Sequence, residues 1–229
     1  MRKFLFFPVV ILLMSLAQDN ICEVYIPMNE GTKLTYEDYN EKDKLQGSQS
    51  IEILSVRKSD ARIDIGSKIE SFDKKGETLG ENEFNYSCEN GVFTVDMESM
   101  VPAESMKGME GMEITIDQTD LKFPASLEVG QTLPDASITF KAATNGINVM
   151  TMVIDITERK VEAAESIEVP AGTFQCLKLS SKSKTKMGFV NVEVSSIDWI
   201  SPNVGSVRSE SYDKKGNLEG YRVLKSLSK

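Results

Sequence analysis

Tyr212-Asp-Lys-Lys-Gly216-Asn-Leu-Glu-Gly220 decides the fold, because two other stretches follow the same recipe: Tyr39-Asn-Glu-Lys-Asp43-Lys-Leu-Gln-Gly47 and Phe72-Asp-Lys-Lys-Gly76-Glu-Thr-Leu-Gly80. Each has an aromatic residue, then Asp or Asn, a Lys, a residue suited to positive φ, and a later glycine. The Asp or Asn side chain can close a turn on its own backbone, and Gly76, Gly216 and less comfortably Asp43 can take the left-handed position that a tight hairpin demands. Three hairpins of one chemistry point to a chain built from antiparallel strands. The extended match of Glu70–Gly76 with Glu210–Gly216 fits either duplicated hairpins or convergent turns.

Alternation of apolar and polar residues agrees. It recurs at Leu34/Tyr36, Ile51/Ile53, Ile63/Ile65, Met150/Met152/Ile154/Ile156, Leu177/Leu179 and Val190/Val192/Val194, the period of half-buried strands. After Val194 the apolar phase jumps across Ser195-Ser196 and resumes at Ile197/Trp199, which predicts a bulge at the two serines. Glu89-Asn-Gly91, Asn145-Gly146 and Asn203-Val-Gly205 mark further turns. These cues predict about ten to twelve strands and no solenoid period.

Residues 1–17, Met-Arg-Lys followed by an apolar run and Ser15-Leu-Ala17, have the form of a secretory signal. Residues 18–31 read as a loose lead, and 32–229 as a single domain. No later segment approaches the roughly 20 apolar residues of a membrane helix, so an exported protein without an integral membrane segment is expected. Cys22 raises the alternative of a lipid anchor, although Asp19-Asn-Ile21 before it lacks the small residues of such a site.

The chain carries 26 basic and 35 acidic residues, a net charge of −9. A surface of that sign repels nucleic acid and anionic membrane through its long-range field, and nucleic acid is excluded as a partner. Histidine is absent altogether, removing Ser-His and Cys-His nucleophile pairs and the usual zinc sites. Calcium loops, phosphate-cradling glycine loops and a Gly-x-Ser-x-Gly elbow are missing too. Pairs such as Glu81/Glu83 and Glu162/Glu165 have the right type for glycoside hydrolysis, but they read as a solvated face. The expectation is a protein that is not an enzyme and needs no metal or cofactor.

Of the three cysteines, Cys88 and Cys176 lie in strand-like segments, so a Cys88–Cys176 disulfide is one reading and three reduced thiols the other. Asn85-Tyr-Ser87 matches the short glycosylation acceptor pattern.

One segment breaks the strand pattern. Between Val95 and Met112 stand Met97, Met100, Met106, Met109 and Met112, with acids between them and Pro102, Gly108 and Gly111 interrupting. One or two short helices over the open face of a sheet fit this stretch. Its methionines either plug the sheet or line an apolar groove, with soft-metal ligation a third use of thioether sulfur. Trp199 either fills the core or touches a ligand.

Phe123–Asp135, Arg159-Lys-Val161, Val169-Pro-Ala-Gly-Thr-Phe-Gln-Cys176 and Asp198-Trp-Ile-Ser-Pro-Asn-Val-Gly-Ser-Val207 together resemble the TapB-like family of exported Bacteroidetes proteins, related to uncharacterised LolA/LolB-like periplasmic domains. The resemblance implies a strongly curved antiparallel half-barrel with short helices across its mouth. By analogy of fold, the concave face would hold an apolar ligand, either lipid-like or an extended polypeptide, in the periplasm or at the cell exterior. Met100, Met106, Met109, Met112 and Trp199 are the residues expected to line it. The competing expectation is a structural or adhesive envelope protein with a filled core.

Overall fold

A computed structural model describes residues 23–101, 109, 111–124 and 126–229. Thirteen antiparallel strands appear among them: β1 (Lys33–Asn40), β2 (Leu45–Lys58), β3 (Arg62–Asp73), β4 (Thr78–Glu89), β5 (Val92–Val95), β6 (Glu113–Thr119), β7 (Leu121–Phe123), β8 (Ala136–Thr144), β9 (Ile147–Val169), β10 (Gly172–Met187), β11 (Val190–Ser201), β12 (Gly205–Tyr212) and β13 (Leu218–Ser228). They form one sheet in the order β6-β8-β9-β10-β11-β12-β13-β1-β2-β3-β4-β5-β7.

The three turn cassettes work as their chemistry dictates. Asn40 Oδ1 accepts the backbone N–H groups of Lys42 and Lys44, at 3.0 Å each. Asp73 Oδ1 accepts those of Lys75 and Glu77, and Asp213 Oδ1 those of Lys215 and Asn217, all at 2.8–2.9 Å. Asp43, Gly76 and Gly216 all have positive φ, at 55°, 84° and 80°. The later glycines serve a different purpose. A Cβ on Gly47 would stand 2.5 Å from the Phe72 carbonyl oxygen and one on Gly220 2.6 Å from that of Tyr39, whereas Gly80 has open space. Gly47→Ala and Gly220→Ala are therefore expected to cost about 1–3 kcal/mol each. Gly80→Ala should stay within about 0.5 kcal/mol; urea midpoints of the three variants check this.

Closure follows from connectivity. The two edges of the sheet, β6 and β7, are consecutive in the chain with only Asp120 between them. A single linking residue keeps Thr119 and Leu121 within about 7 Å, so a thirteen-strand sheet must curl until its edges meet. The result is a nearly closed, barrel-like sheet. Its inside is packed by residues distant in strand order, with Ile53, Ile65, Cys88 and Phe93 meeting Phe123, Leu133, Val161, Leu179 and Ile200.

Residues 18–31 depart from the expected loose lead wherever they are described. Val24, Tyr25 and Ile26 are buried within this same core. The Tyr25 ring lies 6.1 Å from Phe93 and 5.7 Å from Phe123, and Asn203 N–H donates to the Val24 carbonyl at 2.7 Å. A short apolar run has joined the core instead of staying solvated, because there it buries its side chains and satisfies its backbone.

Nor is there a bulge at Ser195-Ser196. β10 and β11 pair without interruption from Met187↔Val190 to Leu177↔Ile200. The phase jump records a change in which face is buried. Val190, Val192 and Val194 share a face with Asp198 and Ile200, while Ile197 and Trp199 point the other way, into a second cluster with Val169, Cys176 and Val223. The β9–β10 hairpin returns over that second face, with Ala171 N–H donating to the Leu224 carbonyl at 3.3 Å.

A third cluster of Met97, Val101, Ala136, Ile138, Phe140 and Ala142 sits at the β6-β8-β9 end. The expected helices reduce, among the described residues, to one 3-10 turn, Glu98–Met100. Residues 102–108 lie outside the described residues. No described helix is long and apolar enough to cross a membrane.

Candidate functional site

Two regions of the inward face differ in chemistry. The first is a cavity of about 270 Å³ bordered by Tyr25, Leu34, Tyr36, Gln49, Ile51, Tyr86, Asp198, Ser209 and Arg222. Strand register places its polar groups together, since Arg222 stands opposite both Asp38 and Ser209, and Ser209 opposite Asp198. Arg222 grips both carboxylate oxygens of Asp38, at 2.6 and 3.1 Å, and donates to Gln49 Oε1 at 2.9 Å. Ser209 Oγ donates to Asp198, whose carboxyl burial pushes above its ordinary pKa against the opposing pull of Ser209 and Arg222. Tyr36 is likewise raised by burial, and its hydroxyl donates to the Ser206 carbonyl at 2.9 Å. The partners satisfy one another, which makes this a structural polar layer.

The second region is apolar and open. Met152 pairs with Met187, which pairs with Val190, and Ile154 with Thr185, which pairs with Val192. Cross-strand partners share a face, so Met187, Val190 and Val192 continue the face on which Met152 and Ile154 pack against the buried Ile138 and Phe140. Yet Met187, Val190 and Val192 are 45%, 54% and 48% exposed. An apolar strip thus leaves the core and runs uncovered to the end of β10 and β11.

Of the residues anticipated from the sequence, Met109, Met112 and Trp199, whose side chains are described, lie in different places. Met109 packs partly buried against the third cluster, Met112 is exposed just before β6, Met100 closes the 3-10 turn, and Met106 lies outside the described residues. Trp199 is buried, on the face opposite Asp198. Its indole N–H donates to Glu165 and Lys178 Nζ lies 5.2 Å from the ring centroid. The exposed strip was missed, although Met187-Gly-Phe-Val190, an apolar run across a turn, carries its signal.

The cysteine pairing is corrected. Cys88 is held in a disulfide, while Cys176 is a free, buried thiol, so the two are not each other's partners. Cys176 belongs to the Trp199 cluster on the face opposite the core that holds Cys88. The third cysteine, Cys22, lies outside the described residues. Burial and the nearby Glu165 carboxylate push the Cys176 thiol up to about 11. Because the thiolate is the reactive form, iodoacetamide is expected to leave Cys176 unlabelled in the folded protein. It should label Cys176 on denaturation without reductant and Cys88 only after reduction; peptide mass mapping reads all three conditions.

Residues 29–224 match the DUF3108-like family. The chain belongs to that family. The kinship with TapB-like and LolA/LolB-type proteins is not part of that match. Comparison with curated proteins gives no match. Among solved structures, a protein of Bacteroides fragilis inferred to be exported, with a YmcC-like fold, is 21% identical with a TM-score of 0.73. An inferred lipoprotein of Parabacteroides distasonis is 25% identical with a TM-score of 0.74. Each alignment covers 91% of this chain and 100% of the neighbour.

Proposed function

We propose that this is an exported, non-enzymatic protein that binds an apolar, lipid-like ligand along the uncovered strip of Met187, Val190 and Val192. The carrying observation is that these three side chains stay about half exposed while continuing a face buried elsewhere. Contiguous exposed apolar surface of this kind favours an interaction site over chance. Met109, packed against the third cluster at the β6 end of the same face, and Met112, exposed just before β6, supply flexible side chains able to repack around varied chains. Export is supported by the signal-like start and by the exported and lipoprotein neighbours. The absence of histidine supports a role without catalysis.

The centre of the barrel is a poorer home for such a ligand. Its core is packed, and an acyl chain in the 270 Å³ cavity would lie against Asp198 and Arg222. That filled centre also favours the second reading, a structural or adhesive envelope protein. An apolar fluorophore, N-phenyl-1-naphthylamine, separates the two when titrated into the protein and displaced with a fatty acid. Saturable, displaceable binding that weakens roughly tenfold in Met187→Ser/Val190→Ser/Val192→Ser, at an unchanged urea midpoint, is expected. Absent binding, or binding unaffected by the triple change, overturns the ligand reading.

A further inference from the structure

The same end of the sheet carries a second feature, independent of the strip. β9 begins at the β8–β9 turn and β10 ends at the β10–β11 turn, and the two strands pair through Met152↔Met187. Both hairpin tips therefore point the same way. At one tip Phe189 is fully exposed, at 109% of its reference area, and at the other Ile147 and Val149 are 69% and 56% exposed. Large apolar side chains at turns gain nothing from folding there, since they remain in water.

Charge is segregated around them. Residues 136–154 and 176–192 hold five lysines, Lys141, Lys178, Lys182, Lys184 and Lys186, and no acid, in a chain of net −9. Lys178 lies over Trp199, and Lys182 is paired with Glu158 at 2.8 Å. Lys141, Lys184 and Lys186 form no ion pair among the described residues. The nearest acids in the strands are Asp155 and Glu193, which stand directly opposite Lys184 on its two neighbouring strands, and Glu113 and Asp117 of β6, diagonal to Lys141, so that Lys186 is the lysine set closest to the Phe189 tip and clear of them. Exposed apolar tips backed by unpaired lysines have the composition of surfaces that enter the headgroup region of a bilayer, where apolar groups insert and Lys attracts anionic lipid.

We infer that this end of the barrel docks on an anionic phospholipid surface, with Phe189, Ile147 and Val149 inserting and Lys141, Lys184 and Lys186 facing the headgroups. Lipid phosphate is the charge complement of an exposed basic edge on an acidic protein, whereas a second copy of this chain would present lysines to lysines. The docked orientation also turns the open end of the Met187 strip toward the bilayer.

Co-sedimentation of the full chain with vesicles tests this. With phosphatidylcholine vesicles containing roughly one third phosphatidylglycerol, binding is expected at about 0.05 M salt and should fall several-fold at about 0.5 M. Vesicles of phosphatidylcholine alone should bind weakly. Phe189→Ser should lower binding roughly tenfold, and Lys184→Glu/Lys186→Glu should abolish the preference for phosphatidylglycerol. Both variants should keep N-phenyl-1-naphthylamine binding, so failure of membrane docking and failure of the ligand reading give different results. Vesicle binding that is absent, indifferent to both changes, or replaced by a soluble dimer that Phe189→Ser dissociates overturns the inference.

Discussion

Arg159→Ala is expected to destabilise the protein by about 3–5 kcal/mol and to loosen the seam of the barrel first. β10 opposes Thr157 with Lys182 and Lys160 with Ser180, so Glu158 and Arg159 together face Ser181 alone. This is a bulge, and Glu158 holds its left-handed position at φ 51°. The bulge breaks the alternation of β9 and turns Arg159 into the protein, where it is 3% exposed. There Nη1 donates to the carbonyl of Pro134 and, at 3.1 Å, to that of Lys122 on the edge strand β7. The guanidinium also lies 4.8 Å from the centroid of Phe123. Burial lowers its pKa to about 10, so it keeps its charge at neutral pH.

Two carbonyls left without a donor cost about 1–3 kcal/mol each, and the emptied volume adds to that. Arg159→Met keeps volume and removes only the donors, so it isolates the hydrogen-bond part. Arg159→Lys keeps the charge but not the planar fork, and should recover only part of the loss. Amide exchange supplies the local readout, since Leu121–Phe123 should exchange faster in Arg159→Ala while β2 and β3 keep their protection relative to the global stability. Equal loss across all strands would mean that Arg159 does not hold the seam.

That seam shows where sequence reading stops. The three cassettes were legible because every partner lies within four residues, from Asn40 to Lys44, Asp73 to Glu77 and Asp213 to Asn217. The Asn145-Gly146 turn was legible for the same reason, both residues having positive φ. Closure depends on where β6 and β7 pair, and those pairings join residues that no local pattern links. Arg159 reads in sequence as an ordinary charged residue of Glu158-Arg-Lys160. Only the bulge, which rests on the φ of Glu158, turns it inward. The binding-site reading fared similarly: a methionine-rich stretch was visible, but which apolar strand residues remain uncovered depends on where the sheet ends.

Trp199→Ala is the second large effect expected, about 3–5 kcal/mol, and it separates the two roles a lone tryptophan could have. A ligand-lining tryptophan is spared by folding for the sake of contact with something else, so its truncation costs binding more than stability. Trp199 has no such freedom. It is 7% exposed among Val169, Cys176, Val207 and Val223, between β11 and the returning β9–β10 hairpin, with Glu165 on its N–H and Lys178 beside its ring. Removing it empties the contact that holds the hairpin on the sheet and leaves the Glu165 carboxylate without its donor. Trp199→Phe retains most of the packing and should cost about 1–3 kcal/mol, mainly for that lost hydrogen bond. Because Trp199 is the only tryptophan, its emission gives a second test in the unaltered protein. Emission should be blue-shifted and poorly quenched by iodide, and it should not change wavelength when a fatty acid occupies the Met187 strip, which lies on the opposite face of β11. A wavelength shift on ligand addition, or a loss of stability below about 1 kcal/mol in Trp199→Ala, would return Trp199 to the ligand and remove it from the framework.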